Sequence, residues 1–288
     1  MKELESTNVA TLGETPTSRR IISYPLLERY CIAPVSRWKE RLPRIIVEGL
    51  TDIFAYPIYV KGIENLDATQ ELIREGKKIE IWSNHLSYVD PLVIMAGLKK
   101  AGHRGIAENT VPIEGLKLRM NPVRKFFASG FETIRVVPPS IEPKNEEENK
   151  MNIKSLKETM ATLKRGINIL IFPEATRSKT QQLEKGTSGV AHYLNPYHND
   201  EYVPPEDIFV LPIGVWGTEK ILPVGAVLPD GNAANVSFGE PRPVSEALER
   251  SANISNRETR RQILVDYFML LIAYLLPEEY RGVYANET

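Results

Sequence analysis

The sequence predicts an α/β fold: a mixed or mostly parallel sheet flanked by helices, with a small N-terminal helical cap. Three observations carry this. From residue 58 onward, short apolar runs alternate with stretches of helical period. One run, residues 167–172 (INILIF), has the composition of a strand buried on both faces. Before it all, residues 21–54 have a helical pattern cut into short pieces by Pro25, Pro34 and Pro43. The chain therefore divides into residues 1–57, a polar tail and helical cap, and residues 58–288, the main domain.

Within the main domain the elements follow in order. Residues 58–60 form a short strand, 78–83 (KIEIWS) a second, and 91–100 a helix. A strand is expected near 105–107, and a helix over 113–129 kinked at Pro122. Residues 131–137 read as a strand, and 149–165 as a helix ended by Gly166. After the 167–172 strand come a short helix at 189–194 and strands at 208–215 and 235–238. The acidic stretch 142–148 (EPKNEEE) reads as a solvated loop. The last helix starts on a capping box, with Ser255 accepting from the backbone and Glu258 reaching back, and ends at Pro277.

Composition narrows the function classes. A net charge of −1 over 288 residues gives no global field toward nucleic acid. The single cysteine, Cys31, permits no disulfide within the chain and fits a reducing compartment. The first twenty residues lack the apolar run of a signal peptide. The best apolar stretch, residues 263–276, is interrupted by Asp266 and falls short of the roughly 20 residues that span a bilayer. His103, His192 and His198 form no recognised metal-ligand spacing, so no metal is expected. No Gly-rich nucleotide loop of Walker or Rossmann type is present.

The most informative segment is Ser83-Asn84-His85-Leu86-Ser87-Tyr88-Val89-Asp90-Pro91. The strand ends at Ser83, while Asp90 followed by Pro91 reads as an N-cap with proline at the first helical position. His85 then lies in a strand-to-helix loop, where open α/β sheets place ligand sites. Across that turn Asp90 can hold one imidazole nitrogen and leave the other as an acceptor. That pairs a base with its orienter. Imidazole titrates near pH 6.5, so it is largely neutral and basic at neutral pH. No Gly-x-Ser-x-Gly pattern accompanies the pair, and Cys31 lies in the cap. Direct attack by a substrate hydroxyl is therefore simpler than an acyl-enzyme.

Three later segments extend the pattern. Gly130-Phe131-Glu132-Thr133-Ile134-Arg135 puts Arg135 on a strand. Phe172-Pro173-Glu174-Ala175-Thr176-Arg177-Ser178 follows the buried strand, and Pro173 forces the chain to turn there. Leu211-Pro212-Ile213 is a third apolar strand broken by proline.

With these four blocks, NHLSYVD, GFETIR, FPEATRS and LPI, the sequence resembles the glycerolipid acyltransferase family of lysophosphatidate and glycerol-3-phosphate acyltransferases. The resemblance covers roughly residues 58–238, and the ending IAYLLPEEYRGVY is also similar to endings in that family. It implies that His85 is the general base and Asp90 its partner, and that Arg135 and Arg177 bind the acceptor phosphate. Guanidinium suits that task, because its fork matches phosphate oxygens. Glu174 either accepts from the glycerol hydroxyl or holds Arg177. Lys185, before Gly186, stands where a further phosphate contact is expected. Ala175 departs from the family, which usually has glycine there. A methyl matters at that point if the backbone needs a positive φ.

The implied reaction moves a fatty acyl group from acyl-CoA or acyl-carrier protein to lysophosphatidate, in phospholipid synthesis, without a cofactor. Glycerol-3-phosphate as acceptor, or a non-catalytic lipid-binding protein on the same fold, are the alternatives. The expected location is cytoplasmic, peripherally associated with a membrane. Between Arg19 and Arg44 seven cations face only Glu28 and Glu40, and residues 116–127 (LKLRMNPVRKFF) interleave cations with apolar groups. Such stretches attract anionic lipid surfaces.

Overall fold

A computed structural model describes residues 57–115, 132–137, 146–194, 203–222 and 232–287. The expected N-terminal tail and cap, the basic stretch 116–127 and the expected strand start at Phe131 lie outside the described residues.

The chain opens with strand β1 (Ile58–Lys61), helix α1 (Ile63–Arg74), strand β2 (Lys78–Ser83) and helix α2 (Asp90–Lys100). Helix α3 (Arg104–Glu108) leads to strand β3 (Thr110–Gly115), and strand β4 (Ile134–Val136) precedes helix α4 (Glu146–Lys164). Strand β5 (Asn168–Ile171) is followed by a 3-10 turn and the short helix α5 (Ala191–Leu194). Strand β6 (Ile208–Trp216), helix α6 (Thr218–Ile221), strand β7 (Ala234–Phe238) and the two-residue strand β8 (Arg242–Pro243) complete the sheet. Helices α7 (Val244–Arg250) and α8 (Arg257–Leu275) follow, then two 3-10 turns, Glu278–Tyr280 and Gly282–Glu287.

The described strands form one sheet in the order β1-β7-β6-β2-β5-β3-β4, with β8 beside β6. Strands β6, β2, β5, β3 and β4 run parallel, β7 runs antiparallel to β6, and β1 runs parallel to β7. The expected mixed, mostly parallel α/β sheet is what the chain forms. Helices cover both faces, so alternate residues of one strand enter different cores. Ile79, Ile81, Leu170, Leu211 and Ile213 pack with α2, while Trp82, Ile169, Ile171 and Val210 pack with α4 and α8. Trp82 meets Phe268 of α8 with ring centroids 5.3 Å apart. This two-sided cover explains why INILIF reads as a continuous apolar run.

Four local readings are corrected. Residues 104–108 are a helix rather than a strand. Gly102, at φ +89°, breaks α2, and an Arg104–Glu108 ion pair of 2.8 Å spans the next turn. Residues 113–115 are strand, not the start of a helix, because Val111 and Ile113 pack toward the second core at period two. Helix α8 is capped by Asn256, whose side chain accepts from Thr259 N at 3.0 Å, rather than by Ser255. Glu258 instead receives the Ser188 hydroxyl. Strand β6 runs through Pro212. The Pro212 carbonyl faces Gly239 N, 2.8 Å away, so the ring nitrogen points to the gap between β8 and β7 and no ladder bond to β2 is lost. Helix α1, which the sequence reading passed over, begins after Gly62 at φ +72° and packs Leu66, Leu72 and Ile73 on the sheet.

Candidate active site

The site is built where the parallel strands end. Just past β2, the Asn84 side chain continues the ladder: its amide donates to Val215 O (2.7 Å) and its carbonyl accepts from Val215 N (2.8 Å). This pins the chain to β6 one residue before His85. The loop then folds around one oxygen. Asp90 Oδ2 accepts from His85 Nδ1 (2.8 Å), Leu86 N (2.7 Å) and Ser87 N (2.8 Å).

Asp90 is the first residue of α2, whose N-cap position is held by Val89 without a side-chain bond. The expected cap role is thus replaced: the carboxylate turns back into the loop instead of capping its own helix. Its charge is fully buried but sits at a helix N-terminus and takes three donors, which offset the loss of water. With Nδ1 donating to Asp90, the His85 Nε2 is the acceptor. The imidazole lies on Phe172, with ring centroids 4.2 Å apart and planes 22° apart, and its side chain keeps 16% exposure. One face is packed, one nitrogen is held, and part of the ring reaches solvent.

The turn after β5 closes over this loop. Glu174 Oε1 accepts from His85 N (2.7 Å) and Oε2 from Glu184 N (3.0 Å), so the carboxyl ties two loops together. Burial pushes its pKa up to about 8, against the pull of the two N–H donors. Ser178 N donates to His85 O at 2.8 Å, and Thr187 N to Pro173 O at 2.9 Å. Ala175 sits at φ +56°, the left-handed region that favours the glycine usual in the family. The Arg177 guanidinium lies 3.6 Å from the centre of the Tyr88 ring, a stacked cation–π contact that brings it onto the His85 loop.

His85, Asp90, Glu174 and Arg177 therefore converge. Arg135 does not join them directly. It lies in β4 as the register partner of Glu114 in β3, three strands from β2, about 14 Å at the usual strand spacing, at the same end of the sheet. Lys185 is exposed in the segment that Glu174 ties to His85. Sequence reasoning gave no role to Asn84, Tyr88 or Ser178. Asn84 was visible as the residue before His85, but its partner Val215 is 131 positions away.

The family model described as Acyltransferase matches residues 58–216. The chain belongs to the acyltransferase family. All four sequence blocks fall inside that match, and so do His85, Asp90, Arg135, Glu174, Arg177 and Lys185. Among curated relatives, the chain is 27% identical over 207 residues to the 1-acyl-sn-glycerol-3-phosphate acyltransferase LPAT1 of Arabidopsis thaliana, covering 68% of this chain and 47% of that protein. It is 35% identical over 118 residues to the glycerol-3-phosphate acyltransferase ATS12 of Cucurbita moschata, covering 40% and 25%. The chain spans about half the length, or less, of these relatives. Among solved structures, the 1-acyl-sn-glycerophosphate acyltransferase PlsC of Thermotoga maritima aligns with a TM-score of 0.46 at 18% identity, over 81% of this chain and 82% of that one. Among the described residues, no helix is long and apolar enough to cross a membrane, and no cluster of three or more His, Cys, Asp or Glu side chains is placed to hold a metal ion.

Proposed function

We propose that the chain is an O-acyltransferase that moves a fatty acyl group from acyl-CoA or acyl-carrier protein to a hydroxyl of lysophosphatidate, in phospholipid synthesis. The observation that carries this is the His85 imidazole, held through Nδ1 by buried Asp90 and leaving Nε2 as a base. Family membership and the named activities of the relatives support the acyl chemistry and the phosphorylated acceptor.

The acceptor hydroxyl gives its proton to His85 Nε2 while its oxygen attacks the thioester carbonyl. Asp90 stabilises the imidazolium that forms. The tetrahedral intermediate collapses with cleavage of the carbon–sulfur bond, and the imidazolium returns its proton to the departing thiolate. The step needs no cofactor beyond the acyl donor. Arg177 and Lys185 on the near loops, and Arg135 across the sheet, bind the acceptor phosphate. Glu174 holds the His85 loop and the Lys185 segment together through backbone bonds. The site serves a cytoplasmic enzyme that visits membranes peripherally, with the basic stretches 19–44 and 116–127 as the contact.

Glycerol-3-phosphate is the second reading, favoured by the similarity to glycerol-3-phosphate acyltransferases. The test is thiol release from acyl-CoA, with product identification, across lysophosphatidate, glycerol-3-phosphate and monoacylglycerol. Transfer to lysophosphatidate is expected to be fastest. A faster reaction with glycerol-3-phosphate selects the second reading. Equal transfer to monoacylglycerol refutes the phosphate assignment, and no transfer to any acceptor leaves a lipid-binding protein.

A further inference from the structure

Beyond the 58–216 match lies a block the reaction does not use: residues 280–284 (YRGVY), after α8 and Pro277. Its bonds converge on residues 183–186. Leu183 N donates to Tyr280 O (2.8 Å), and Val283 N donates to Leu183 O (3.2 Å), so the two sides of one buried leucine are paired with the block. Gly282 is at φ +54°, and a Cβ there would lie 2.1 Å from Leu183 O. Only glycine allows this approach. The Tyr284 hydroxyl donates to Asp266 Oδ1 (2.6 Å) and accepts from Gly186 N (3.3 Å). Burial and the neighbouring carboxylate push that phenol far above its usual pKa, so it stays a neutral donor.

Gly186 is gripped from a second side. Gln262 Nε2 donates to Gly186 O (3.0 Å) and to Asp266 Oδ1 (2.9 Å). A Cβ on Gly186 would meet Val265 Cγ1 at 2.5 Å and Met269 Cγ at 2.9 Å, so its backbone lies directly on α8. On the other flank, Glu184 N donates to Glu174 Oε2. Lys185 thus has both neighbours fixed while its own side chain is exposed. Tyr280 adds a link to the far side of the site. Its hydroxyl donates to Glu219 Oε1 (2.8 Å) in α6, and Leu222 O after that helix accepts from Ser87 Oγ (2.9 Å) in the His85 loop. The His85 loop, the Glu174 loop, the 280–284 block and the α6 turn form a closed ring of contacts.

We propose that residues 280–284, with Gln262 and Asp266, are a positioning strap that sets Lys185 toward the anionic group of the acceptor. The proposal rests on the reading of the site as one for a phosphorylated acceptor. The strap touches no reacting atom. It fixes where one cation stands, so its loss falls on acceptor binding rather than on the chemical step.

The experiment uses the full chain with Tyr284→Phe, Lys185→Ala and the double variant, and Arg260→Ala as a control on the exposed side of α8. Kinetics with acyl-CoA and lysophosphatidate are combined with hydrogen exchange. Tyr284→Phe is expected to raise the acceptor KM about ten-fold while kcat and the donor KM move less than about two-fold. In the Lys185→Ala background it should add nothing, because both changes remove one interaction. The amides of residues 184–186 should exchange faster while α8 keeps its protection. Multiplying effects of the two substitutions, parallel losses in kcat and both KM values, or unchanged exchange at 184–186 would each overturn the strap. Should Tyr284→Phe not fold, Gln262→Met removes the second grip on Gly186 and is read the same way. If the wild type acylates no phosphorylated acceptor, the functional reading and the assignment of Lys185 fall together, whereas a failure of the strap alone shows as unchanged exchange in an active enzyme.

Discussion

Glu80 and Glu174 are both buried carboxyls near the middle of the sheet, with 0% and 4% exposure, and they keep opposite company. Glu80 has one donor, Trp82 Nε1 at 2.9 Å, from its own strand, and its other oxygen has no hydrogen bond among the described residues. Glu174 takes two backbone N–H groups from two different loops. Burial raises both pKa values, to about 7 for Glu80 and about 8 for Glu174. Asp90 goes further, with three donors on one oxygen. A carboxyl that gathers donors from separate segments shapes a site, whereas one bonded within its own strand is a titratable group held inside a core.

Substitutions can break that comparison. The largest effect is expected at Asp90. Asp90→Asn removes the charge that holds His85 Nδ1–H and places an amide among three donors, so kcat should fall about 10²- to 10⁴-fold. A kcat within a few-fold of wild type would show that the pair is not the orienting device.

Glu80 should respond with the opposite sign, in stability. Its folded pKa lies above the ordinary value of 4.5, so the folded state holds a proton that the unfolded chain has lost. Stability from this group is full below about pH 4.5 and is lost as pH rises through about 7. Glu80→Gln keeps the acceptor for Trp82 and should raise unfolding free energy by about 3 kcal/mol at pH 8, with little change at pH 4. Denaturant unfolding at the two pH values measures it. A variant less stable than wild type at pH 8 would mean the charge is better solvated than its burial implies.

Glu174→Gln is the counterpart. Below about pH 8, where burial keeps Glu174 protonated, the NH2 end of glutamine cannot accept, so one of His85 N and Glu184 N loses its partner. A loss of about 2 kcal/mol in stability, with reduced turnover, is expected. A neutral or stabilising outcome would remove the distinction between the two acids. The smallest effect belongs to Ala175. Its φ of +56° costs an alanine about 1–2 kcal/mol, partly offset by the greater freedom of glycine when unfolded. Ala175→Gly should therefore gain up to about 1 kcal/mol in the same unfolding measurement, and a clear loss would show that the methyl makes contacts that outweigh the strain.

What the sequence made legible was local. The strand end, loop and helix start around His85 fall within nine residues, 83–91, and the turn at Pro173 follows from one proline after a buried run. The backbone demand at Ala175 was visible as a departure from a glycine position. Less legible was whatever depends on distant partners. Asn84 is held by a residue 131 positions away, and Gly186 by one 98 positions away. Glu80 stands in KIEIWS, a strand whose alternation does not by itself say that both faces are covered. The sheet is covered on both sides, so the Glu80 face is core as well. Residues 104–108 failed for a related reason: a five-residue apolar-and-charged stretch carries too little period to separate helix from strand.

The central claim is that His85 is the base for acyl transfer, and one comparison tests it most directly. Purified wild type and His85→Ala are assayed for thiol release and acylated product with acyl-CoA and lysophosphatidate, after unfolding curves establish that both are folded. The account predicts a loss of about 10²- to 10⁴-fold in turnover with the fold retained. Near-wild-type turnover by folded His85→Ala would contradict it.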